Sequence, residues 1–344
     1  MAAVEGSRVE RLRMTSPAEA AGDYVRPPAP LPDVAGLYGP GSEAWRLNRE
    51  AMLLLGAGPR ALLMQIAHPL IAEGVDQHSS FRVDPWSRLT ATTRSYLTIV
   101  YGSGPQARAE IARLNRLHRS IRGPVRDPVA RTSADAERYT ARDPQLNLWV
   151  HATLVDSTIV AFDRWIEPLP RDRRVAYYAE TRPIGRAFGV PEELLPPDLD
   201  AFEAYMARMC GPDGPVRVTP TARALAQVVL HPPLAPIADQ VLPAPVAPWA
   251  AAVLRAIPPL AYDWTLWPAI ALLPADLREE FGLEWSAGRH LVADWLLRSW
   301  QAWRPILPPA FRQFGMAMAA HRRVDGNDWV SRGAGSGGGT WGGG

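Results

Sequence analysis

Helix start signals recur along this chain, and no segment shows the strict alternation of apolar and polar residues that marks a half-buried strand. Ser42, Pro59 and Pro105 begin three helical patterns, and Asp-Pro pairs at 84–85 and 143–144 begin two more. Further helical patterns cover 170–189, 198–209, 219–230, 248–256, 275–281 and 284–304. The sequence therefore predicts an all-α fold, a single globular domain of about ten or more helices around one core.

The two ends of the chain carry no helical pattern. Residues 1–40 are rich in Pro, Gly and Ala, and residues 331–344 are mostly Gly, so we expect a disordered N-terminal arm and a disordered tail around a helical domain at 41–330. Residues 1–13 carry charges of both signs and no apolar stretch, which argues against a secretory signal. We expect a cytoplasmic protein, with peripheral membrane contact at the proline-interrupted apolar segment 241–273 as the minor alternative.

Composition excludes several kinds of site. All 37 basic residues are Arg, so a P-loop lysine or a Schiff-base lysine has no candidate. Cys210 is the single cysteine, which excludes an internal disulfide, a thiolate zinc site and covalent c-type haem. The net charge of +2 gives no indication of nucleic-acid binding. Motifs for a dinucleotide, a zinc protease or a nucleophilic serine are also missing.

A histidine interrupts one of the apolar helical stripes. Ile111, Leu114, His118 and Ile121 are spaced three and four apart, which places them on one face of a helix. A buried imidazole needs a partner for its ring nitrogens. Two partners remain open from the spacing alone: a backbone carbonyl in an ordinary core, or a haem iron.

Several short motifs occur in a fixed order between residues 55 and 154. They are GAGPR at 56–60, QIAHP at 65–69, GVDQHS at 74–79, Asp-Pro at 84–85, Arg-x-x-x-Thr at 88–92, LHRSIRG at 117–123 and DPQLNLWVHATL at 143–154. This order resembles the catalytic-domain family of the mycophenolic-acid side-chain oxygenase and the rubber oxygenase (latex-clearing protein). The resemblance covers a family core at about 45–189, roughly half of the chain.

The resemblance implies a globin-like helical core that holds a non-covalent haem b. It implies an oxygenase that uses O2 on a small apolar substrate, with an alkene or isoprenoid as the candidate class, and oxidative cleavage of a carbon–carbon double bond. His118 matches the family's proximal iron ligand, and Arg88 and Thr92 match an Arg-x-x-Lys-Thr motif whose lysine is here Ala91. A distal catalytic glutamate falls one residue away from Glu73. The electron donor and the oligomeric state are not specified by the resemblance.

The same residues also have simpler interpretations. Arg88 could bind a haem propionate through its forked guanidinium or form a salt bridge with Asp84 one turn earlier. Thr92, four residues on and on the same helix face, could bond to a helix carbonyl instead of a cofactor.

Three other histidines are candidates to contact the cofactor. His68 precedes Pro69 near a helix end, where a cationic imidazole is favoured, so we expect capping or propionate contact there. His78 is expected in a loop, as a structural hydrogen-bonding group or part of the distal pocket. His151 lies on an apolar stripe and is the alternative iron ligand. Two alternative functions stay open: a haem-binding sensor or carrier without turnover, and a helical binding protein without cofactor.

Overall fold

The computed structural model describes residues 34–78, 85–231, 247–256 and 266–325, without the side chains of 85–90, 133 and 254–256. These ranges contain 16 α-helices and one short two-stranded sheet. The helices of the first half are α1 (Glu43–Asn48), α2 (Ala57–Ile66), α3 (Pro69–His78), α4 (Pro85–Tyr101), α5 (Gly104–Ser120), α6 (Pro128–Ala134), α7 (Pro144–Trp165) and α8 (Arg171–Ala187). Those of the second half are α9 (Leu199–Cys210), α10 (Pro220–Leu230), α11 (Ala247–Ala256), α12 (Trp267–Ala271), α13 (Ala275–Glu280), α14 (Ala287–Trp303), α15 (Pro309–Arg312) and α16 (Gly315–Asp325). The all-α prediction is confirmed.

Side-chain caps explain where several of these helices begin. The Ser42 hydroxyl accepts a hydrogen bond from the Trp45 amide at the start of α1. At α5, Ser103 and Gln106 form a reciprocal capping box in which each side chain binds the other's backbone amide. Asp143 caps α7 and is followed by a proline, whose missing N–H is not needed in the first turn. The capping residues and prolines of the sequence thus predict these three starts.

Helix α7 lies at the centre of the core and is buried on nearly all sides. It packs against α2, where polar side chains bond across the interface. The Arg60 guanidinium lies 2.6 Å from the Asp156 carboxylate and donates to Ser157 Oγ at 2.8 Å. Trp149 Nε1 donates to the carbonyl oxygen of Met64 at 3.1 Å. Because these groups are partnered, their burial does not leave charges or dipoles uncompensated.

A small hairpin was not predicted from the sequence. β1 (Arg122–Pro124) pairs antiparallel with β2 (Arg138–Thr140), and Gly123 lies opposite Tyr139. Each strand has three residues, which is too short for an alternating pattern to be visible. The hairpin encloses α6 and places residues 122–127 against α3.

The predicted disordered regions fall mostly outside the described residues. Within the arm, residues 34–40 form turns, while 1–33 and the tail at 331–344 are not described. Within the apolar segment at 241–273, residues 241–246 and 257–265 are likewise not described. Among the helices that are described, none combines the length and the apolar character needed to cross a membrane.

Candidate functional site

The stripe that carries His118 is buried at one end and reaches the surface at the other. Ile111 is fully buried, in a cluster with Ile99 of α4 and Ala187 of α8. His118 lies in the last turn of α5, is only partly buried, and its ring centroid is 6.2 Å from that of Phe188. The expectation that His118 points into the core is therefore wrong in part, because α5 ends two residues later and its last turn meets solvent.

Two asparagines fasten the end of α8 to the neighbouring helices. We call residues 185–188 the α8 end. Asn115 of α5 donates from Nδ2 to the carbonyl oxygen of Ala187 at 2.9 Å, and Asn147 of α7 donates to that of Phe188 at 3.0 Å. The last carbonyls of a helix have no partner within the helix, so these amides satisfy groups that would otherwise be buried without one.

His151 meets the α8 end from the side of α7. Its side chain is 8% exposed, and Nε2 is buried without a hydrogen-bond partner among the described residues. A Cβ added at Gly185 would lie 3.2 Å from Cδ2 of this ring, so the imidazole packs closely on the backbone of α8. Burial lowers the pKa of His151 to about 4, which keeps the ring neutral at pH 7.

His68 is also a neutral, buried histidine. It is 3% exposed, Nδ1 has no hydrogen-bond partner in the described part of the chain, and burial lowers its pKa to about 4. The expectation of a cationic imidazole at a helix end is wrong, because loss of hydration disfavours the charged form more than a backbone hydrogen bond favours it. Propionate contact by His68 would then use a neutral ring.

The Glu73 carboxylate is occupied by donors from the backbone. It is buried in α3 and accepts from the amides of Arg126 at 3.0 Å and Asp127 at 2.9 Å, and from Gln77 Nε2 at 2.5 Å. These contacts fasten α3 to the segment that leads into α6, where Asp127 is the N-cap. They favour a structural role, and the catalytic role of Glu73 stays a prediction.

His78 contacts the same segment as Glu73. It is the last residue of α3 rather than part of a loop, because the helix continues through the polar end of the GVDQHS motif. Its Nε2 lies 3.0 Å from the carbonyl oxygen of Arg122, and its ring is 6.1 Å from that of Tyr139. His78 and Glu73 thus form one group against residues 122–127, whereas His118 and His151 form another around the α8 end.

Arg88 and Thr92 lie on α4, as the Asp-Pro start predicts. The Arg88 side chain is outside the described residues, so its predicted propionate contact stays a prediction. Thr92 is exposed on the described part of α4, as is Ala91, which stands where the resemblance implies a lysine.

Sequence reasoning missed Gly185, Phe188 and the two asparagines. A signal for the asparagines is present, since Asn115 precedes His118 by one turn and Asn147 precedes His151 by one turn. An amide in an otherwise apolar stripe needs a partner, and here that partner is the α8 end. Nothing in the local sequence of α8 indicates that its end would receive both amides.

The described residues contain no group of three or more His, Cys, Asp and Glu side chains that could hold a metal ion. A haem iron needs only one histidine from the protein, because the macrocycle supplies four nitrogens. A partly exposed imidazole beside an aromatic ring, as at His118, fits that requirement. His151 fits less well, because its ring already packs on the backbone of α8 at Gly185.

Comparison with known proteins identifies relatives over most of the chain. The sequence model of the family described as "ER-bound oxygenase mpaB/B'/Rubber oxygenase, catalytic domain" matches residues 45–303. The uncharacterized proteins Rv2237 of Mycobacterium tuberculosis (strain ATCC 25618 / H37Rv) and Mb2261 of Mycobacterium bovis (strain ATCC BAA-935 / AF2122/97) are similar to it. Each is 28% identical over 245 residues, which cover 69% of this chain and 83% of the relative. No solved structure matches this chain.

Proposed function

This chain belongs to the family of the ER-bound oxygenase mpaB/B′ and rubber oxygenase catalytic domains, and we propose that it is a haem-b-dependent oxygenase. Its substrates are O2 and a small apolar molecule with an oxidisable group such as an alkene. The observation that carries the proposal is the position of His118, at the partly exposed end of an apolar helix face beside Phe188. The family match spans α5, which carries His118, and the neighbouring helices α4, α7 and α8.

His118 would hold the cofactor through one imidazole nitrogen. Phe188 and the partly buried Leu114 supply apolar surface next to it, which disfavours water at the bound face. Asn115 binds the carbonyl oxygen of Ala187 and Asn147 that of Phe188, and these two bonds hold the backbone that carries the aromatic ring beside His118. His151, the alternative ligand, would have to leave its contact with Gly185 before it could bind a large planar group.

Bound haem supplies the activation of O2, and the residues of the chain supply ligation, orientation and exclusion of water. Ala91 carries a methyl group that neither donates nor accepts a proton. The proton transfers that oxygen chemistry needs must therefore use another group. Glu73 can take that role only by giving up hydrogen bonds to the amides of Arg126 and Asp127.

Replacement of each histidine in turn tests the ligand. The full chain loaded with haem should show a strong Soret band that His118→Ala abolishes or shifts, and added imidazole should restore it. His151→Ala is the matched control and should keep the axial ligation of the parent. A parent protein that stays colourless with haem, or a Soret band lost only in His151→Ala, would contradict the assignment. Acid–acetone should extract all of the haem, because Cys210 offers no covalent attachment of the c type.

The predicted propionate contact is tested on α4. Arg88→Leu should increase the rate at which haem passes to an excess of apomyoglobin, because one charged partner is lost. Arg94→Leu, an exposed arginine later on the same helix, is the matched control and should release haem at the parental rate. Equal rates of haem transfer from the parent and both variants would favour the alternative interpretation, in which Arg88 forms a surface salt bridge with Asp84.

Ala91 in the lysine position also favours a second function, a haem sensor or carrier without turnover. Oxygen consumption with an isoprenoid alkene separates the two functions, since a carrier keeps its Soret band but consumes no O2 above free haem. The ferric protein should give a high-spin resonance from an open or water-bound iron. A low-spin signal that disappears in His78→Ala would instead show that His78 binds the iron.

A further inference from the structure

Helix α14 exposes an apolar face that no described element covers. We call Leu291, Val292, Trp295, Trp303 and Ile306 the tryptophan face; the first four lie within about a third of the helix circumference, and Ile306 is in the following turn. The two indoles are 64% and 62% exposed. On the opposite side, Ala293 and Leu297 are buried, where α14 packs on α12 and α7. The face is therefore held rigidly towards solvent.

The charges around this face are asymmetric. Asp294, the single acidic residue of α14, lies off the face and is paired with Arg164 at 3.7 Å and His290 at 3.5 Å. Arg298 is exposed at one edge of the face. On α14 the tryptophan face thus combines an uncharged centre with a cationic edge at Arg298, and the acidic residue of the helix is held in ion pairs beside the face.

The size of the face favours one kind of occupant over another. A tryptophan side chain offers up to about 250 Å², so two indoles and three aliphatic side chains at these exposures present on the order of 500 Å². A stable protein dimer usually buries about 800 Å² on each partner. The tryptophan face alone is therefore smaller than the surface that each copy would bury in a stable two-fold dimer of this chain.

We propose that the tryptophan face docks on the surface of a lipid bilayer that contains anionic phospholipid. Indoles favour the boundary between headgroups and acyl chains, where the ring is in an apolar layer and the N–H meets water. A helix with one side anchored in the protein and the other side apolar lies in the plane of that boundary. Arg298 at the edge of the face then meets lipid phosphates.

Vesicle co-sedimentation of the full chain tests this inference, which does not depend on haem. The parent should bind vesicles of phosphatidylcholine with phosphatidylglycerol, and more weakly those of phosphatidylcholine alone. Trp295→Ser/Trp303→Ser should lower the partition coefficient at least about tenfold, because two interfacial indoles are lost. Arg298→Glu should weaken binding to the anionic vesicles only. Leu117→Ser/Val175→Ser, which changes two exposed apolar residues of α5 and α8, should bind like the parent.

Three results would overturn the inference: no binding of the parent to either vesicle, equal binding of the tryptophan variant, or equal loss in the control variant. Analytical ultracentrifugation without lipid gives a fourth. A parental dimer that Trp295→Ser/Trp303→Ser converts to a monomer would assign the face to a second copy. Thermal unfolding should give the same midpoint for all variants, since the replaced side chains are exposed in the folded chain.

Discussion

Between α2 and α7, buried polar side chains bond to one another, whereas around the α8 end the asparagines bond to backbone carbonyls and His151 Nε2 has no hydrogen-bond partner among the described residues. The first arrangement stabilises the fold, and its polar groups are already bonded to one another. The second holds the backbone of the α8 end in place beside the buried, neutral ring of His151. The two regions share α7, but in one of them buried polar side chains bond to each other and in the other they bond to the backbone.

Loss of Arg60 should show the largest effect. Arg60→Met removes the buried partner of partly buried Asp156 together with the hydrogen bonds to Ser157 and the Leu272 carbonyl, so the free energy of unfolding should fall by about 3–5 kcal/mol. Urea unfolding followed by circular dichroism measures this. Arg171→Met, which breaks exposed pairs with Asp200 and Glu203, should cost less than about 1 kcal/mol. Equal losses of stability in the two variants would mean that the Arg60–Asp156 pair contributes no more than the exposed pairs of Arg171.

The buried histidines should make stability depend on pH. The folded pKa of His151 is about 4 and the ordinary value is 6.5, so the unfolded chain binds more protons between these values. Stability is then lost as pH falls from about 6.5 to about 4, by about 3 kcal/mol for a fully buried ring. His151→Leu and His151→Asn should both remove that part of the slope, whatever their stability at pH 7. An unchanged dependence of stability on pH would mean that the ring of His151 is hydrated in the folded chain. His68→Leu should give an independent loss of the same sign.

Filling the space at Gly185 should have an intermediate effect. A Cβ there would lie 2.9 Å from Leu195 Cδ2 and 3.2 Å from the His151 ring, so Gly185→Ala should destabilise by about 1–3 kcal/mol despite alanine's better helix propensity. The same substitution should cost less in a His151→Ala background. Gly288→Ala, at an open position of α14, is the control and should be neutral or slightly stabilising. No coupling between positions 185 and 151 would contradict the close packing.

The two asparagines should have the smallest effects on stability. Asn115→Ala and Asn147→Ala each remove one hydrogen bond to the α8 end, which costs about 1 kcal/mol. If the proposed ligand is correct, Asn115→Ala should also change the line shape of the ferric resonance, because the backbone that carries Phe188 loses one of its two asparagine bonds. A stability loss with an unaltered resonance would limit Asn115 to a structural role.

The parts of the molecule that the sequence predicted are those that local chemistry decides. The starts of α1, α5 and α7 follow from their capping residues and prolines, and the stripe from Ile111 to His118 follows from its spacing. The α8 end could not be predicted, because the partners of Asn115 and Asn147 lie 72 and 41 residues away along the chain. Similarly, the sequence singles out Glu73 and His78 as polar residues but not the hairpin segment that they contact.

The fastening of the α8 end has a consequence for hydrogen exchange. The amides of Phe188, Gly189 and Val190 bond back to Ile184, Arg186 and Gly185, so they are protected only while this last turn stays closed. Opening that turn requires both asparagine bonds to break, one to α5 and one to α7. These amides should therefore exchange with deuterium together, as a single cooperative unit whose rate reports how often the α8 end separates from the helices that carry His118 and His151.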